Sequence, residues 1–216
     1  MRSKAITSII IISIVLIADQ LIKIWVKTSM DYSDPSIPLL GDWFKLAYVE
    51  NQGMAFGATL GGASWAKLVL SIFRVFAIGA IIYYLVQQIK LNARFEFIIV
   101  ISLVLAGATG NLLDSMFYDF FFTFDPCLSF NQLEGSGIWG ECEYYGFKED
   151  VELRRTGFLY GNVVDMFYFD VNWPEWVPKL AGKQVFPAVW NLADGAISVG
   201  VIMVLIRQKK YFSKEK

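Results

Sequence analysis

Three asparagine–aspartate pairs, each separated by two residues, are the side chains best suited to chemistry in an otherwise apolar sequence. They are Asn111 and Asp114, Asn162 and Asp165, and Asn191 and Asp194. On a helix, a spacing of three puts both side chains on one face, where the amide can orient the carboxyl or bind a ligand. Two of the pairs fall within long apolar stretches, where an ionisable residue is costly and usually functional. The pattern therefore indicates a site built from carboxyl groups.

Asp165 and Asp194 are the two carboxyls whose meeting would have the largest chemical consequence. Two carboxyls held close together cannot both ionise easily, so they share a proton. One can then draw a proton from water while the other polarises a carbonyl, as in an aspartic peptidase. Two other classes stay open here: a small proton- or ion-coupled transporter with Asp114 and Asp194 as relay groups, and a non-catalytic assembly protein that tolerates asparagine at either aspartate.

The composition is that of a membrane protein. Of the 216 residues, 56% are hydrophobic and 18% are charged, and the mean hydropathy is +0.47. The sequence has no histidine, which excludes Ser-His-Asp and Cys-His catalysis and histidine-ligated zinc. It also has no Gly-rich phosphate loop of the common types. We therefore expect no metal, no organic cofactor and no nucleic-acid partner.

Four apolar stretches are each close to the ~20 residues that a bilayer crossing needs. They cover about residues 5–26, 66–89, 95–117 and 186–206. The first continues past the length of a signal peptide without a small-x-small cleavage pattern, so it is predicted to be a retained anchor. Asp19 and Lys23 lie four apart in it and can pair on one helix face. The prediction is a single membrane-embedded domain, mainly α, with four transmembrane helices.

The distribution of charge predicts the orientation of these helices. Basic residues are concentrated before the first stretch, between the second and third, and after the fourth, whereas the two long connections, 27–65 and 118–185, hold most of the acidic residues. By the positive-inside rule both termini are cytoplasmic and both long connections are outside. Asp194, eight residues into the fourth stretch, and Arg74, eight into the second, would then lie at similar depths, with Arg74 a possible counter-ion.

The outer connections are predicted to form a small β-rich region. Alternating residues at 43–49 are typical of a strand, and 167–171 could be a second one. Cys127 and Cys142 both fall in the second connection. Outside the cytoplasm one disulfide is possible, but spacing alone leaves a bridge and two separate thiols equally open.

Five ordered motifs make the chain resemble the bacterial lipoprotein signal peptidase (signal peptidase II) family. The motifs are ADQLIKIWV (18–26), VENQGMAFG (49–57), AGATGNLLDS (106–115), GNVVDMF (161–167) and FPAVWNLADGAI (186–197). The resemblance spans nearly the whole chain. It implies an aspartic endopeptidase of the bacterial inner membrane, with its site toward the outer face. The implied substrates are prolipoproteins, cut before a diacylglyceryl-modified cysteine amid membrane lipids.

The resemblance also implies roles for individual residues. The catalytic aspartates of the family fall on Asp165 and Asp194, and Asp19 with Lys23 matches a pair of structural role. The residues matched to substrate contact or to shaping the site are Asn51, Gly53, Phe56, Asn111, Asp114, Asn162 and Asn191.

Two departures from the family pattern stand out. The third motif has Ala106 in place of a usual glycine and Ser115 in place of a usual arginine, and we expect Arg74, Arg154 or Arg155 to supply the missing positive charge. The segment 119–160 is longer than is usual in the family, and it is either an ordered lid or a surface embellishment.

Overall fold

The computed structural model describes residues 1–52 and 64–212, so Gly53 and Phe56 lie outside the described residues. The helices are α1 (Arg2–Ser29), α2 (Ser64–Lys90), α3 (Phe95–Phe121) and α4 (Leu192–Phe212), and the strands are β1 (Ile37–Leu40), β2 (Phe44–Asn51), β3 (Trp139–Tyr144), β4 (Phe147–Glu152) and β5 (Val163–Phe169). The chain divides into two compact units, a helical unit (Met1–Ile22, Leu70–Leu113, Leu192–Lys216) and a sheet unit (Lys23–Val69, Asp114–Asn191).

The helical unit is held by apolar packing. Its buried core is Leu85, Phe97, Ile98, Ile101 and Leu105, against which Ile12 and Val204 also pack. Among the described residues, three helices are long and apolar enough to cross a membrane, namely Arg2–Ser29, Trp65–Lys90 and Phe95–Phe121. They match the first three predicted spans, and they make the chain a mainly helical membrane protein. The four-span count and the side of the termini stay predictions.

The fourth helix begins later than the apolar pattern suggests. α4 starts at Leu192, whereas the predicted span starts at residue 186. Pro187 interrupts this stretch, and Trp190 exchanges two backbone hydrogen bonds with Phe167, each 2.8 Å long. These bonds hold the residues before α4 in extended structure. Asp194 therefore lies in the first turn of α4, not eight residues into a helix.

Glycines allow close helix packing within the helical unit. A Cβ on Gly110 would lie 2.8 Å from Asp19 Oδ2 and 3.1 Å from the Cβ of Ala193. A Cβ on Gly107 would overlap the carbonyl oxygen of Ala193. Gly107 and Gly110 therefore let α3 pack closely against the start of α4.

The sheet unit contains a three-stranded antiparallel sheet in the order β1-β2-β5. Along β2 the residues alternate between buried and half-buried, which is the period-2 pattern that predicted this strand. β5 lies at Val163–Phe169 rather than at 167–171. It begins earlier because Val163, Val164 and Asp165 pair with the end of β2.

The long segment after α3 is folded around a second, two-stranded sheet of β3 and β4. Cys127 and Cys142 form a disulfide, which settles the alternative left open by their spacing. The Arg154 guanidinium donates to both oxygens of Asp119, at 3.0 and 2.8 Å, and to Asn131 Oδ1 at 2.8 Å. This buried ion pair joins the end of the segment to the last turns of α3.

Removing the disulfide is expected to loosen this segment. The bridge closes a loop with a sequence separation of 15, for which chain entropy gives about 3 kcal/mol of stabilisation. Trypsin should therefore cut the Cys127→Ser/Cys142→Ser variant faster at Lys148 and Arg155 than it cuts wild type. Reduced wild-type protein should be cut as fast as the variant. Equal cleavage rates with and without the bridge would contradict this expectation.

Candidate active site

Asp165 projects from β5 toward the end of β2. Asp165 is paired with Val49 and Val163 with Asn51, so Asn51 and Asp165 are diagonal neighbours on one face of the sheet. Asn51 Nδ2 donates to Asp165 Oδ2. This face of β2 is the half-buried one, yet Asp165 itself is only 3% exposed. The register of two strands thus sets the position of the carboxylate.

Asn191 holds the other oxygen of the same carboxylate. Its Nδ2 donates to Asp165 Oδ1 at 2.6 Å and to the carbonyl oxygen of Val164 at 3.2 Å, and Asn191 is fully buried. Asn51 and Asn191 therefore place one amide N–H on each oxygen of Asp165. Such donors orient a carboxylate and stabilise its negative charge.

Asn162 points elsewhere, although it precedes Asp165 by three residues. Its Nδ2 donates to the carbonyl oxygen of Phe130 at 3.3 Å, and Asn162 is 1% exposed. Asp165 lies in a strand, so the helical spacing considered for this pair is wrong. Residues three apart in extended chain face opposite ways. The contact of Asn162 thus ties the start of β5 to the segment after α3.

Asp194 has its partner in the helical unit. Asn111 Nδ2 donates to Asp194 Oδ1 at 2.7 Å. Asp194 is half-buried and lies in the first turn of α4, where the helix dipole stabilises a negative charge. Asn111 and Asp114 both lie in α3, so for this pair the helical spacing is confirmed.

The two members of the predicted structural pair in α1 each have a contact on another element. Asp19 Oδ1 accepts the backbone N–H of Ala193 at 2.9 Å, which satisfies one of the otherwise unpaired N–H groups at the start of α4. Lys23 Nζ lies 2.7 Å from Asp114 Oδ2, and both side chains have no solvent exposure. Asp114 Oδ2 also accepts the N–H of Val164 at 3.4 Å. These contacts join α1 to the start of α4 and to α3, and the structural role implied by the resemblance stays a prediction.

The cation that meets Ser115 is Lys67, which the sequence analysis did not single out. Lys67 Nζ donates to Ser115 Oγ at 3.0 Å. Of the arginines expected in this place, Arg154 is bound to Asp119, Arg155 lies over the Tyr160 ring, and Arg74 is half-buried in the helical unit. A lysine in the first turns of an apolar span is the signal that could have identified Lys67.

A second polar cluster supports β2 from its buried face. Lys27 forms an ion pair with Glu50, and the Tyr48 hydroxyl donates to Glu50 Oε1 at 2.5 Å. Burial, together with the Glu50 carboxylate, raises the pKa of Tyr48 well above its usual range, so the hydroxyl stays protonated and keeps donating.

In residues 1–52 and 64–212, no group of three or more Cys, Asp or Glu side chains could hold a metal ion.

The chain is similar over most of its length to proteins of one family. The family model described as signal peptidase (SPase) II matches residues 11–209. A lipoprotein signal peptidase of Porphyromonas gingivalis (strain ATCC 33277) is 36% identical over 95% of this chain and 83% of its own length. One from Amoebophilus asiaticus (strain 5a2) is 34% identical over 89% of this chain and 73% of its own length.

Two solved structures have folds similar to the fold of this chain. A bacterial membrane enzyme determined by the in meso method at 2.3 Å resolution matches with a TM-score of 0.54 and 23% identity, over 97% of this chain and 93% of that one. Another, determined at 1.9 Å resolution, matches with a TM-score of 0.56 and 21% identity, over 97% and 94%. The likeness supports a membrane-enzyme fold.

Proposed function

The chain belongs to the signal peptidase II family, and we propose that it uses Asp165 and Asp194 as a catalytic pair to cleave diacylglyceryl-modified prolipoproteins. The family makes it an integral membrane protease that removes signal peptides from lipoproteins. The proposal adds the cleavage position, just before the lipidated cysteine, and the activation of water by two aspartates. The family assignment disfavours the transporter and assembly-protein alternatives.

The observation that carries the proposal is the environment of Asp165. Its carboxylate is buried and accepts one amide N–H on each oxygen, from Asn51 and Asn191. A buried charge is costly, and here residues from two other motifs hold it. Asn191 is also three residues before Asp194 along the chain, so the residue that orients the first carboxylate directly precedes the helix that carries the second.

In the proposed mechanism one carboxyl group acts as a general base and the other as a general acid. One carboxyl of the pair, as a carboxylate, takes a proton from the attacking water. The other, protonated, donates to the oxygen of the scissile carbonyl. That oxygen gains negative charge in the transition state, so a proton donor placed there lowers the barrier. After attack, the carboxyl that took the water proton gives it to the leaving nitrogen and the C–N bond breaks. The other carboxyl regains its proton from the former carbonyl oxygen as the C=O bond re-forms, which completes the hydrolysis.

The proposed location is the bacterial inner membrane, with both termini in the cytoplasm and the two long connections, 27–65 and 118–185, at the outer face. The disulfide supports this side, because disulfides persist mainly outside the cytoplasm. The basic residues at the chain ends and in the α2–α3 turn support it through the positive-inside rule. Lys4 Nζ donates to the carbonyl oxygens of Asn92 and Ala93 at 3.0 and 2.6 Å, so the N-terminus contacts this turn. Membrane lipids and lipidated prolipoproteins are the proposed partners.

The experiment that tests the proposal is cleavage of a purified diacylglyceryl-modified prolipoprotein by the detergent-solubilised protein. We expect release of the signal peptide and a new N-terminus at the lipidated cysteine, identified by mass spectrometry. The same precursor without the diacylglyceryl group is the matched control and should be cut poorly. Folded protein that cuts neither precursor would contradict the proposal, and equal cutting of both would contradict the assigned substrate.

A further inference from the structure

Lys67 is a buried cation that contacts both the residue after β2 and a residue of α3. It is 5% exposed, and its Nζ donates to the carbonyl oxygen of Gln52 at 2.9 Å and to Ser115 Oγ at 3.0 Å. An ammonium group has three protons to donate, and burying one is costly unless they are bonded. We propose that Lys67 is a positioning residue that aligns Asp165, an inference that rests on the proposed role of Asp165 in catalysis.

The first route from Lys67 to Asp165 runs through β2. Gln52 directly follows Asn51, the last residue of that strand. Asn51 donates to Asp165 Oδ2. When Lys67 holds the Gln52 carbonyl, it fixes the end of β2 where the strand leaves the sheet, and so it fixes the position of the Asn51 amide. Removing the Lys67 ammonium removes this hydrogen bond to the Gln52 carbonyl.

The second route runs through α3. The carbonyl oxygen of Ser115 accepts the N–H of Gly161 at 3.0 Å, and Asp114 Oδ2 accepts the N–H of Val164 at 3.4 Å. A Cβ on Gly161 would overlap the carbonyl oxygen of Asp114, so only glycine allows this approach of the two backbones. One turn of α3 therefore holds the chain that leads into Asp165, and Lys67 binds that same turn at Ser115.

Lys67 thus joins the two scaffolds on which Asp165 depends. One scaffold carries the amide that contacts the carboxylate, and the other carries the backbone from which the carboxylate projects. A displacement of about 1 Å between catalytic groups lowers rates by about 10²-fold. A single ammonium that bonds both scaffolds is well placed to prevent such a displacement. It also supplies a positive charge beside Ser115.

The test is a set of substitutions at positions 67 and 115 in the full-length protein, assayed on the lipidated precursor. Lys67→Met should lower kcat by about 10- to 100-fold, as expected for misplaced groups, with KM changed less than about twofold because Lys67 is not proposed to touch substrate. Lys67→Arg should recover most of the activity, because a guanidinium also donates to oxygen acceptors. Lys148→Met, which removes an exposed lysine of the sheet unit, should leave kcat unchanged.

An exchange variant separates positioning from folding. Lys67→Ser/Ser115→Lys keeps both side chains but places the charge on α3, and it should be more active than Lys67→Ser alone. The folded fraction of each variant is measured by its thermal unfolding in detergent. Wild-type kcat in folded Lys67→Met would overturn the inference. So would losses explained wholly by unfolded protein, with no recovery in Lys67→Arg or in the exchange variant.

The same assay distinguishes this inference from the proposed function. If Asp165→Asn keeps its activity, the proposed catalytic pair fails whatever Lys67 does. If Asp165→Asn is inactive while Lys67→Met cuts at the wild-type rate, the catalytic pair stands and only the positioning role of Lys67 is lost.

Discussion

Asparagine at Asp165 or at Asp194 is expected to reduce kcat for prolipoprotein cleavage by about 10³-fold or more. Each carboxyl moves a proton in the proposed reaction, and such groups contribute roughly 10²- to 10⁴-fold. Because the two act on the same water and carbonyl, their effects should not add. The Asp165→Asn/Asp194→Asn double variant should retain about the same residual activity as either single variant. The measurement is single-turnover cleavage with excess enzyme.

Stability must be measured beside activity, since Asp165 is buried between two amide donors. An asparagine there can accept from one of them but presents its own N–H₂ to the other, at a cost of about 1–3 kcal/mol. Asp170→Asn is the matched control, because it removes an exposed carboxylate that follows β5. It should cut at the wild-type rate. Substantial cleavage by a folded Asp165→Asn or Asp194→Asn variant would contradict the two-aspartate mechanism.

The second large effect is expected at the Lys23–Asp114 ion pair, and it is an effect on stability. The two side chains lie 2.7 Å apart with no solvent exposure. Lys23→Met leaves the Asp114 carboxylate buried without this cation, which should cost about 3–5 kcal/mol. The free energy of unfolding can be followed by SDS titration in mixed micelles. Activity should fall as well, because Asp114 also accepts the N–H of Val164, next to Asp165.

A double variant tests whether the loss comes from the uncompensated charge. Lys23→Met/Asp114→Asn removes both charges and leaves an oxygen to accept the N–H of Val164. It should be more stable than Lys23→Met, because well-packed neutral groups often replace a buried pair at little cost. The exposed pair of Lys45 and Asp170 is the control, and Lys45→Met should change stability little. A double variant less stable than Lys23→Met would contradict this explanation.

The apolar helices and the family could be predicted from sequence because hydropathy and short motifs are local properties. Runs of about 20 apolar residues correspond to α1, α2 and α3, within a few residues at each end. Strict alternation predicted β2. The motifs around Asp165 and Asp194 pointed to the family, and the match over residues 11–209 confirms that assignment.

The boundaries of β5 and α4 depend on pairing between distant residues. Trp190 is apolar and was predicted to be part of a span. Its backbone is hydrogen-bonded to that of Phe167, so α4 begins only at Leu192. Val163 lies between Asn162 and Asp165, for which helical spacing was considered, but it belongs to β5 and pairs with Asn51 of β2. Asn162 and Asp165 therefore face different neighbours, because this segment is extended and not helical.

The sequence alone thus determined the family and the apolar helices, because hydropathy and motifs are properties of single segments, and it is the source of the proposed aspartate pair. Tertiary structure decided which partner each polar group meets. Lys23 binds Asp114 as well as sharing a helix with Asp19, Lys67 meets Ser115, and Cys127 is bridged to Cys142. The physical reason is that a buried polar group must find a donor or acceptor wherever the chain brings one, and that partner is often far away in sequence.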